Sequence, residues 1–169
     1  MMILRHLLAI AVLPFMVTVM VPFWLAERYG ALPAIGGSRA AVLLQVLGLG
    51  LFCSGALLAA ASVNRFANEG RGTLAPWDPP RVFVVHGPYR YVRNPMISGV
   101  ILVLFGEALL LQSPAHGAWA VAFLCLNLAY IPLVEEPELR GRFGASYLAY
   151  CRNVRRFLPR RHPWSPSDC

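Results

Sequence analysis

Two adjacent carboxylates and one arginine are the residues of this chain best suited to hold a polar ligand. Glu135 and Glu136 come directly after a long apolar run, and they repel each other unless a cation or a hydrogen-bond donor faces them. Arg93 stands immediately before Asn94-Pro95, and a guanidinium can hold a carboxylate through two parallel hydrogen bonds. We therefore expect a cationic or hydroxyl-rich ligand between Arg93 and the two carboxylates.

The apolar runs between these residues decide whether they meet. Met96–Gln112 and Ala115–Val134 are separated only by Ser113-Pro114, and a proline is well placed to end one helix and open the next. Two helices joined by so short a turn form a hairpin whose outer ends lie on the same side. The sequence therefore predicts that Arg93 and the pair Glu135-Glu136 are neighbours.

Four apolar runs predict the architecture. The other two are Leu7–Ala26 and Ala40–Val63, and 20 helical residues span about 30 Å, the thickness of the hydrocarbon core. Hydrophobic residues make up 57% of the 169 residues and charged residues 14%, which excludes a disordered chain and argues against a soluble enzyme. None of the runs alternates with period two, so a barrel is not expected. We predict an all-α integral membrane bundle of about four transmembrane helices with short cytosolic helices.

The distribution of arginine predicts the orientation. The chain has fifteen arginines and no lysine; thirteen lie on the side of the two termini and two on the other side. The positive-inside rule then makes both termini and the candidate site cytoplasmic, and we expect the inner membrane of a bacterium. The net charge of +7 fits a lipid bilayer as partner better than nucleic acid. Any extra helices should lie in the 64–95 loop or after Glu136.

We interpret residues 1–169 as a single membrane domain whose first part, 1–63, holds two spans. Small residues in the second span should let a neighbouring helix approach closely: Gly48, Gly50, Ser54, Gly55 and Ala59. The four cysteines have no metal-ligand spacing, so we predict free thiols and no metal site: Cys53, Cys125, Cys151 and Cys169. Glu107 lies well inside the third run, where a functional and a structural role are equally expected.

Other readings of the polar residues stay open at this level. Arginines beside a span commonly serve as topology signals and contact lipid headgroups. Aromatic residues near a span end are often interfacial, as Trp77, Tyr89, Tyr91, Tyr147 and Tyr150 would then be. His86 is equally well read as a surface residue or as a ligand contact.

Two motifs carry a resemblance to a known superfamily. The stretch Gly87–Gly99 is similar to the G-x-Y-x-x-x-R-H-P-x-Y-x-G signature of the isoprenylcysteine carboxyl methyltransferases and phospholipid methyltransferases. The second motif of that superfamily resembles Glu135-Glu136-x-x-Leu139-x-x-x-Phe143-Gly144-x-x-Tyr147-x-x-Tyr150, followed by Val154, Arg156 and Pro159. The resemblance covers roughly residues 72–159. Asn94 stands where relatives have His and Ile97 where they have Tyr, so neither position can shuttle a proton.

The resemblance implies a membrane-embedded methyltransferase that uses S-adenosylmethionine, with residues 64–169 as its core. It implies catalytic roles for Arg93 and Glu136 and a cofactor pocket lined by His86, Tyr89, Arg93, Asn94, Pro95, Glu135, Glu136, Tyr147 and Tyr150. The acceptor would be lipophilic or small, with a carboxylate, an amine or a thiol. Two alternatives remain: a membrane reductase that uses NADPH on sterol-like or enoyl lipids, and a non-enzymatic membrane subunit.

Overall fold

A computed structural model describes residues 11–30, 37–69 and 85–165, and every regular element in these ranges is helical. The first helix, α1, begins as a π-helix over Ala11–Met20 and continues as an α-helix over Val21–Tyr29. It is followed by α2 (Arg39–Glu69), a 3₁₀ helix (Gly87–Arg90), α3 (Pro95–Leu110) and α4 (Pro114–Tyr130). A π-helical turn (Ile131–Glu135) joins α4 to α5 (Glu136–Asn153). The start of the first predicted span, residues 70–84 of the 64–95 loop with Trp77, and Cys169 lie outside the described residues.

Two of the described helices are long and apolar enough to cross a membrane. They are Arg39–Arg65 and the continuous stretch Pro114–Asn153. In the most apolar 18 residues of each helix, only 11% and 17%, respectively, are buried within the chain. Large side chains on them face outward, with Leu57 72% and Leu133 73% exposed. Such a surface is unfavourable in water and favourable in lipid. α3 is apolar but shorter, so the prediction of four spans stays a prediction.

The stretch Pro114–Asn153 extends well beyond what a bilayer needs. Its 40 residues correspond to about 60 Å, twice the hydrocarbon thickness. The uncharged part ends at Val134, so Glu135, Glu136 and the rest of α5 follow the span. At Gly144 the backbone adopts φ 51° and ψ −126°, which kinks α5. The 3₁₀ helix and α5 confirm that the extra helices lie before the third run and from Glu136 onward.

The described residues divide into two compact units, one within 1–57 and 99–124 and the other within 58–98 and 125–169. In the first unit, α2 and α3 touch backbone to backbone. A Cβ atom at Gly55 would lie 2.6 Å from the carbonyl oxygen of Gly99, and one at Gly48 would lie 2.9 Å from that of Gly106. The predicted close approach is confirmed for Gly48 and Gly55. It is wrong for Gly50 within the described part of the chain, where a Cβ would meet no atom within 4 Å.

Polar side chains of α4 secure α1 in the same unit. In a π-helix, each carbonyl accepts a hydrogen bond from the N–H five residues later. Pro22 has no N–H, so the carbonyl of Val17 in the π-helical stretch lacks this donor. Trp119 Nε1 donates to that carbonyl at 3.1 Å. One turn earlier, buried His116 binds the carbonyl of Pro22 through Nε2 at 3.0 Å and the hydroxyl of Ser113 through Nδ1 at 2.9 Å. Glu107 on α3 is half-buried, and its Oε2 has no hydrogen-bond partner among the described residues.

Candidate functional site

Glu136 is the centre of the polar site in the second unit. The π-helical turn before it contains Pro132, and the N–H of Glu136 bonds to the carbonyl of Ile131, five residues back. A single π-helical turn rotates the following residues relative to a regular helix, and such turns are frequent at functional sites. The side chain of Glu136 is 2% exposed, so the carboxylate is removed from water and must be paired inside the protein.

Three arginines pair with this one carboxylate. Arg156 binds it in a bidentate manner, with Nε 2.5 Å from Oε1 and Nη2 3.0 Å from Oε2. Arg93 Nη1 lies 3.0 Å from Oε1, and Arg140, one helical turn after Glu136, places Nη2 3.5 Å from Oε2. Three guanidinium groups around one carboxylate leave an excess of positive charge. A ligand with an anionic group is therefore favoured here.

The protonation state of Glu136 follows from these partners. Burial by itself raises the pKa of the carboxyl, but the hydrogen bond from Arg156 and the charges of Arg93, Arg156 and Arg140 outweigh burial. The net result is a pKa below the usual range of glutamate. Glu136 is thus ionised at neutral pH, which suits an anchor for arginines and does not suit a general acid.

The backbone that carries Arg93 is held to the C-terminal segment. The N–H of Arg93 donates to the carbonyl of Arg155 at 2.8 Å, and that of Asn94 donates to the carbonyl of Arg156 at 3.2 Å. Asn94 precedes Pro95, the first residue of α3, and its carbonyl accepts bonds from the N–H and hydroxyl of Ser98. These bonds bring Arg93 and Arg156 to the same carboxylate, and Asn94 contributes through its backbone.

The side chain of Arg93 is only 12% exposed and uses part of its hydrogen-bonding capacity. Nη1 donates to Glu136 and also contacts Cys151 Sγ at 2.9 Å. Nε is buried and has no hydrogen-bond partner among the residues that the structure describes. A buried charged donor without an acceptor is costly, so this group indicates where a ligand oxygen would bind.

Glu135 differs from its neighbour although the two are adjacent in sequence. It is half-buried, and burial raises the pKa of its carboxyl, with the charges of Glu136 and Glu138 raising it further. Burial, and after it the charge of Glu135, likewise raises the pKa of Tyr89. Glu135 is therefore easier to protonate than Glu136.

The remaining predicted site residues divide into core and surface. Tyr147 and Tyr150 are buried in a cluster with Val85, Val154 and Trp164, and the hydroxyl of Tyr150 donates to the carbonyl of Tyr89 at 2.6 Å. Pro95 is fully buried at the start of α3. His86 is exposed at the start of the 3₁₀ helix. The structure thus brings Arg93 and Glu136 together as predicted, while the tyrosines and Pro95 form the support around them.

Sequence reasoning assigned no site role to three residues that the structure places at Glu136 or Arg93. Arg140 follows Glu136 by four positions, a spacing that puts both on one helical face and was readable from the sequence. Arg156 belongs to the second motif but had no assigned partner. Cys151 lies four residues after Tyr147, and only its surroundings distinguish it from the exposed thiols Cys53 and Cys125.

Comparison with known proteins identifies the family of the chain. The sequence matches the phospholipid methyltransferase family over residues 43–146, more than half of the chain. The chain therefore belongs to this family, within the superfamily of membrane-integral methyltransferases. Neither the curated proteins nor the solved structures contain a significant match. The matched range includes Arg93, Glu135 and Glu136 and ends before Tyr147.

Proposed function

We propose that this protein is a membrane methyltransferase that uses S-adenosylmethionine and methylates a lipophilic or small acceptor on the cytoplasmic side. Family membership supports methyl transfer and leaves the NADPH reductase without support. The arginine distribution of thirteen against two supports the orientation. The acceptor carries a carboxylate, an amine or a thiol, the groups that can receive a methyl cation equivalent.

One observation carries the proposal. Arg93 pairs with Glu136 through Nη1 and keeps a buried Nε–H that no acceptor within 11–30, 37–69 or 85–165 reaches. The amino-acid end of S-adenosylmethionine has a carboxylate, and a guanidinium edge binds a carboxylate with two parallel hydrogen bonds. When bound, this cofactor supplies an activated methyl group on its sulfonium. The residues of the site fit the group: Arg93 would hold the carboxylate, and the adjacent carboxylate Glu135 would be available for the ammonium or the hydroxyls.

The protein needs no nucleophile of its own for this reaction. Its residues bind the two reactants, orient them and exclude water, which can contribute roughly 7–11 kcal/mol to lowering the barrier. Glu136 stays ionised and keeps Arg93 and Arg156 in place. Asn94 replaces the usual His of the motif and stabilises the start of α3 through its backbone, so proton removal from the acceptor does not depend on this position.

The test is direct. Purified protein in detergent is incubated with S-adenosylmethionine labelled in its methyl group and a lipid extract from the native host, and the labelled product is identified by mass spectrometry. In parallel, calorimetry compares the binding of S-adenosylmethionine and of NADPH. We expect a labelled lipophilic or small product and binding of S-adenosylmethionine alone. Binding of NADPH, or of neither compound, would contradict the proposal.

A further inference from the structure

Cys151 lies between two residues of the site. Its Sγ is 2.9 Å from Arg93 Nη1, and Cys151 follows Tyr147 by one turn on α5. Cys53 and Cys125 are exposed, whereas Cys151 is partly buried against the core cluster that contains Tyr147 and Tyr150. Neither the motifs nor the proposed function assigns a role to this thiol.

The N–H groups of Arg93 indicate how Cys151 acts on this side chain. A guanidinium has five N–H groups, two of them on Nη1. The two N–H groups of Nη1 are directed to Glu136 Oε1 and to Cys151 Sγ. The N–H of Nε and one N–H of Nη2 lie on the opposite edge of the planar group and run parallel, the geometry that matches a carboxylate. Nε on this edge is a buried donor that has no acceptor among the described residues.

Glu136 alone does not determine the orientation of the guanidinium. A single hydrogen bond to Oε1 allows the plane of the group to rotate about that bond. The second contact, to the Sγ of Cys151, which packs against the core cluster, defines the plane of the group and therefore the direction of the Nε edge.

We infer that Cys151 is a positioning residue for the methyl-transfer site: by accepting from Arg93 Nη1, it turns the Nε–Nη2 edge of Arg93 toward the carboxylate of the bound ligand. The inference rests on the proposed function, since S-adenosylmethionine is the ligand whose carboxylate this edge would hold. Cys151 itself does not touch the ligand.

The test uses Cys151→Ala, which removes the acceptor, and Cys151→Ser, which keeps one of similar size. Cys125→Ala, in the same unit but away from these contacts, is the matched control. Binding of S-adenosylmethionine is measured by calorimetry, and methyl transfer is measured at limiting and saturating cofactor. We expect Cys151→Ala to weaken binding about 3- to 10-fold, the value of one hydrogen bond. KM for the cofactor should rise, and kcat should stay within about twofold of the wild-type value, because only the positioning of a binding group is lost.

Two further results separate positioning from packing. Cys151→Ser should recover binding to within about twofold of the wild type, and Cys151→Ala should have no added effect in an Arg93→Lys background, because the two residues act through one interaction. Three results would overturn the inference and leave the proposed function intact. Cys151→Ala could bind S-adenosylmethionine as tightly as the wild type, Cys151→Ser could bind as weakly as Cys151→Ala, or Cys151→Ala could cause an equal loss in the wild-type and Arg93→Lys backgrounds. If the wild-type protein does not bind S-adenosylmethionine, the proposed function fails and this inference fails with it.

A measurement on the unsubstituted residue covers the case in which Cys151→Ala does not fold. With Cys53, Cys125 and Cys169 replaced by Ser, the rate of iodoacetamide labelling at Cys151 is followed with and without S-adenosylmethionine. A ligand held on the other edge of Arg93 should fix the Arg93–Cys151 contact and slow labelling severalfold. Labelling that S-adenosylmethionine does not change overturns the inference.

Discussion

The two compact units of this chain hold their helices together by different means. In the first unit, α2 and α3 touch at Gly48 and Gly55, where backbone and apolar side-chain atoms of α3 lie closest. In the second, a buried carboxylate is shared by three arginines, and Nε of Arg93 has no acceptor. Close backbone packing serves stability alone. An incompletely satisfied charge cluster costs stability and is retained where it binds something.

This difference predicts two kinds of variant. Substitutions in the glycine contact should change the free energy of unfolding without a specific effect on cofactor binding. Substitutions in the arginine cluster should change both, and the effect on binding should persist under conditions in which the variant is fully folded.

The largest effect is expected for Glu136→Gln. This change leaves Arg93, Arg140 and Arg156 facing one another without their counter-charge, and breaking a buried ion pair costs about 3 kcal/mol or more. The unfolding free energy in detergent should fall by that amount, and binding of S-adenosylmethionine should weaken at least about tenfold because Arg93 is no longer anchored. Thermal unfolding and calorimetry on the folded fraction measure the two effects. Unchanged values for both would show that Glu136 is not the anchor of the site.

A smaller loss is expected for Gly55→Ala in the first unit. The added Cβ would lie 2.6 Å from the carbonyl oxygen of Gly99, and α2 and α3 must separate, at a cost of about 1–3 kcal/mol. Gly50→Ala is the matched control, since a Cβ there meets nothing within 4 Å, and Ala in a helix gains about 0.5–1 kcal/mol over Gly. Thermal unfolding in detergent should therefore move in opposite directions for the two variants. Equal shifts would contradict the glycine contact.

The pH dependence of stability should distinguish the adjacent glutamates. The folded-state pKa of Glu136 is lowered. The contribution of Glu136 to the free energy of unfolding is therefore present above the unfolded-state pKa of about 4.3 and is lost as pH falls toward the folded-state pKa. The folded-state pKa of Glu135 is raised, so its contribution is present below about 4.3 and is lost as pH rises through the folded pKa. Between pH 3 and 7, acid should lower the unfolding free energy of Glu136→Gln less than that of the wild type. Near neutral pH, the unfolding free energy of Glu135→Gln should exceed that of the wild type. The same pH profile in both variants would refute the assignment.

The smallest effect is expected for Glu138→Gln. Its partner Arg142 is one turn away with Nη2 2.9 Å from Oε1, but both side chains are exposed enough to be hydrated, at 56% for Glu138 and 34% for Arg142. Exposed pairs of this spacing contribute about 0.3–0.5 kcal/mol. We expect a shift of this size in thermal unfolding and no change in cofactor binding. A loss as large as that of Glu136→Gln would remove the distinction between buried and exposed pairs.

The apolar pattern predicted the helices well because hydrophobic runs and proline positions are local features. The turn at Ser113-Pro114, the approach of Gly48 and Gly55, and the proximity of Arg93 and Glu136 all follow from it. The prediction for Gly50 was wrong because a run of small residues does not show which face of the helix has a neighbour.

The details of the charge cluster were beyond the sequence. Arg156 reaches Glu136 because the backbone of Asn94 binds a carbonyl more than sixty residues later. The π-helical turn around Pro132 precedes the two glutamates and determines that Glu136, and not Glu135, faces the arginines. Both are tertiary features that neither residue spacing nor composition encodes.

Methyl transfer by Arg93→Lys tests the central claim most directly. Lys keeps the charge, so topology and headgroup attraction persist, but an ammonium cannot bind Glu136 and a carboxylate with a planar fork. Losing one charge-assisted hydrogen bond costs about 1.5–3 kcal/mol, so kcat/KM for the cofactor should fall roughly 10- to 150-fold. Arg142→Lys is the control and should retain wild-type rates. Wild-type kinetics of Arg93→Lys at limiting and saturating S-adenosylmethionine would contradict a binding role for Arg93.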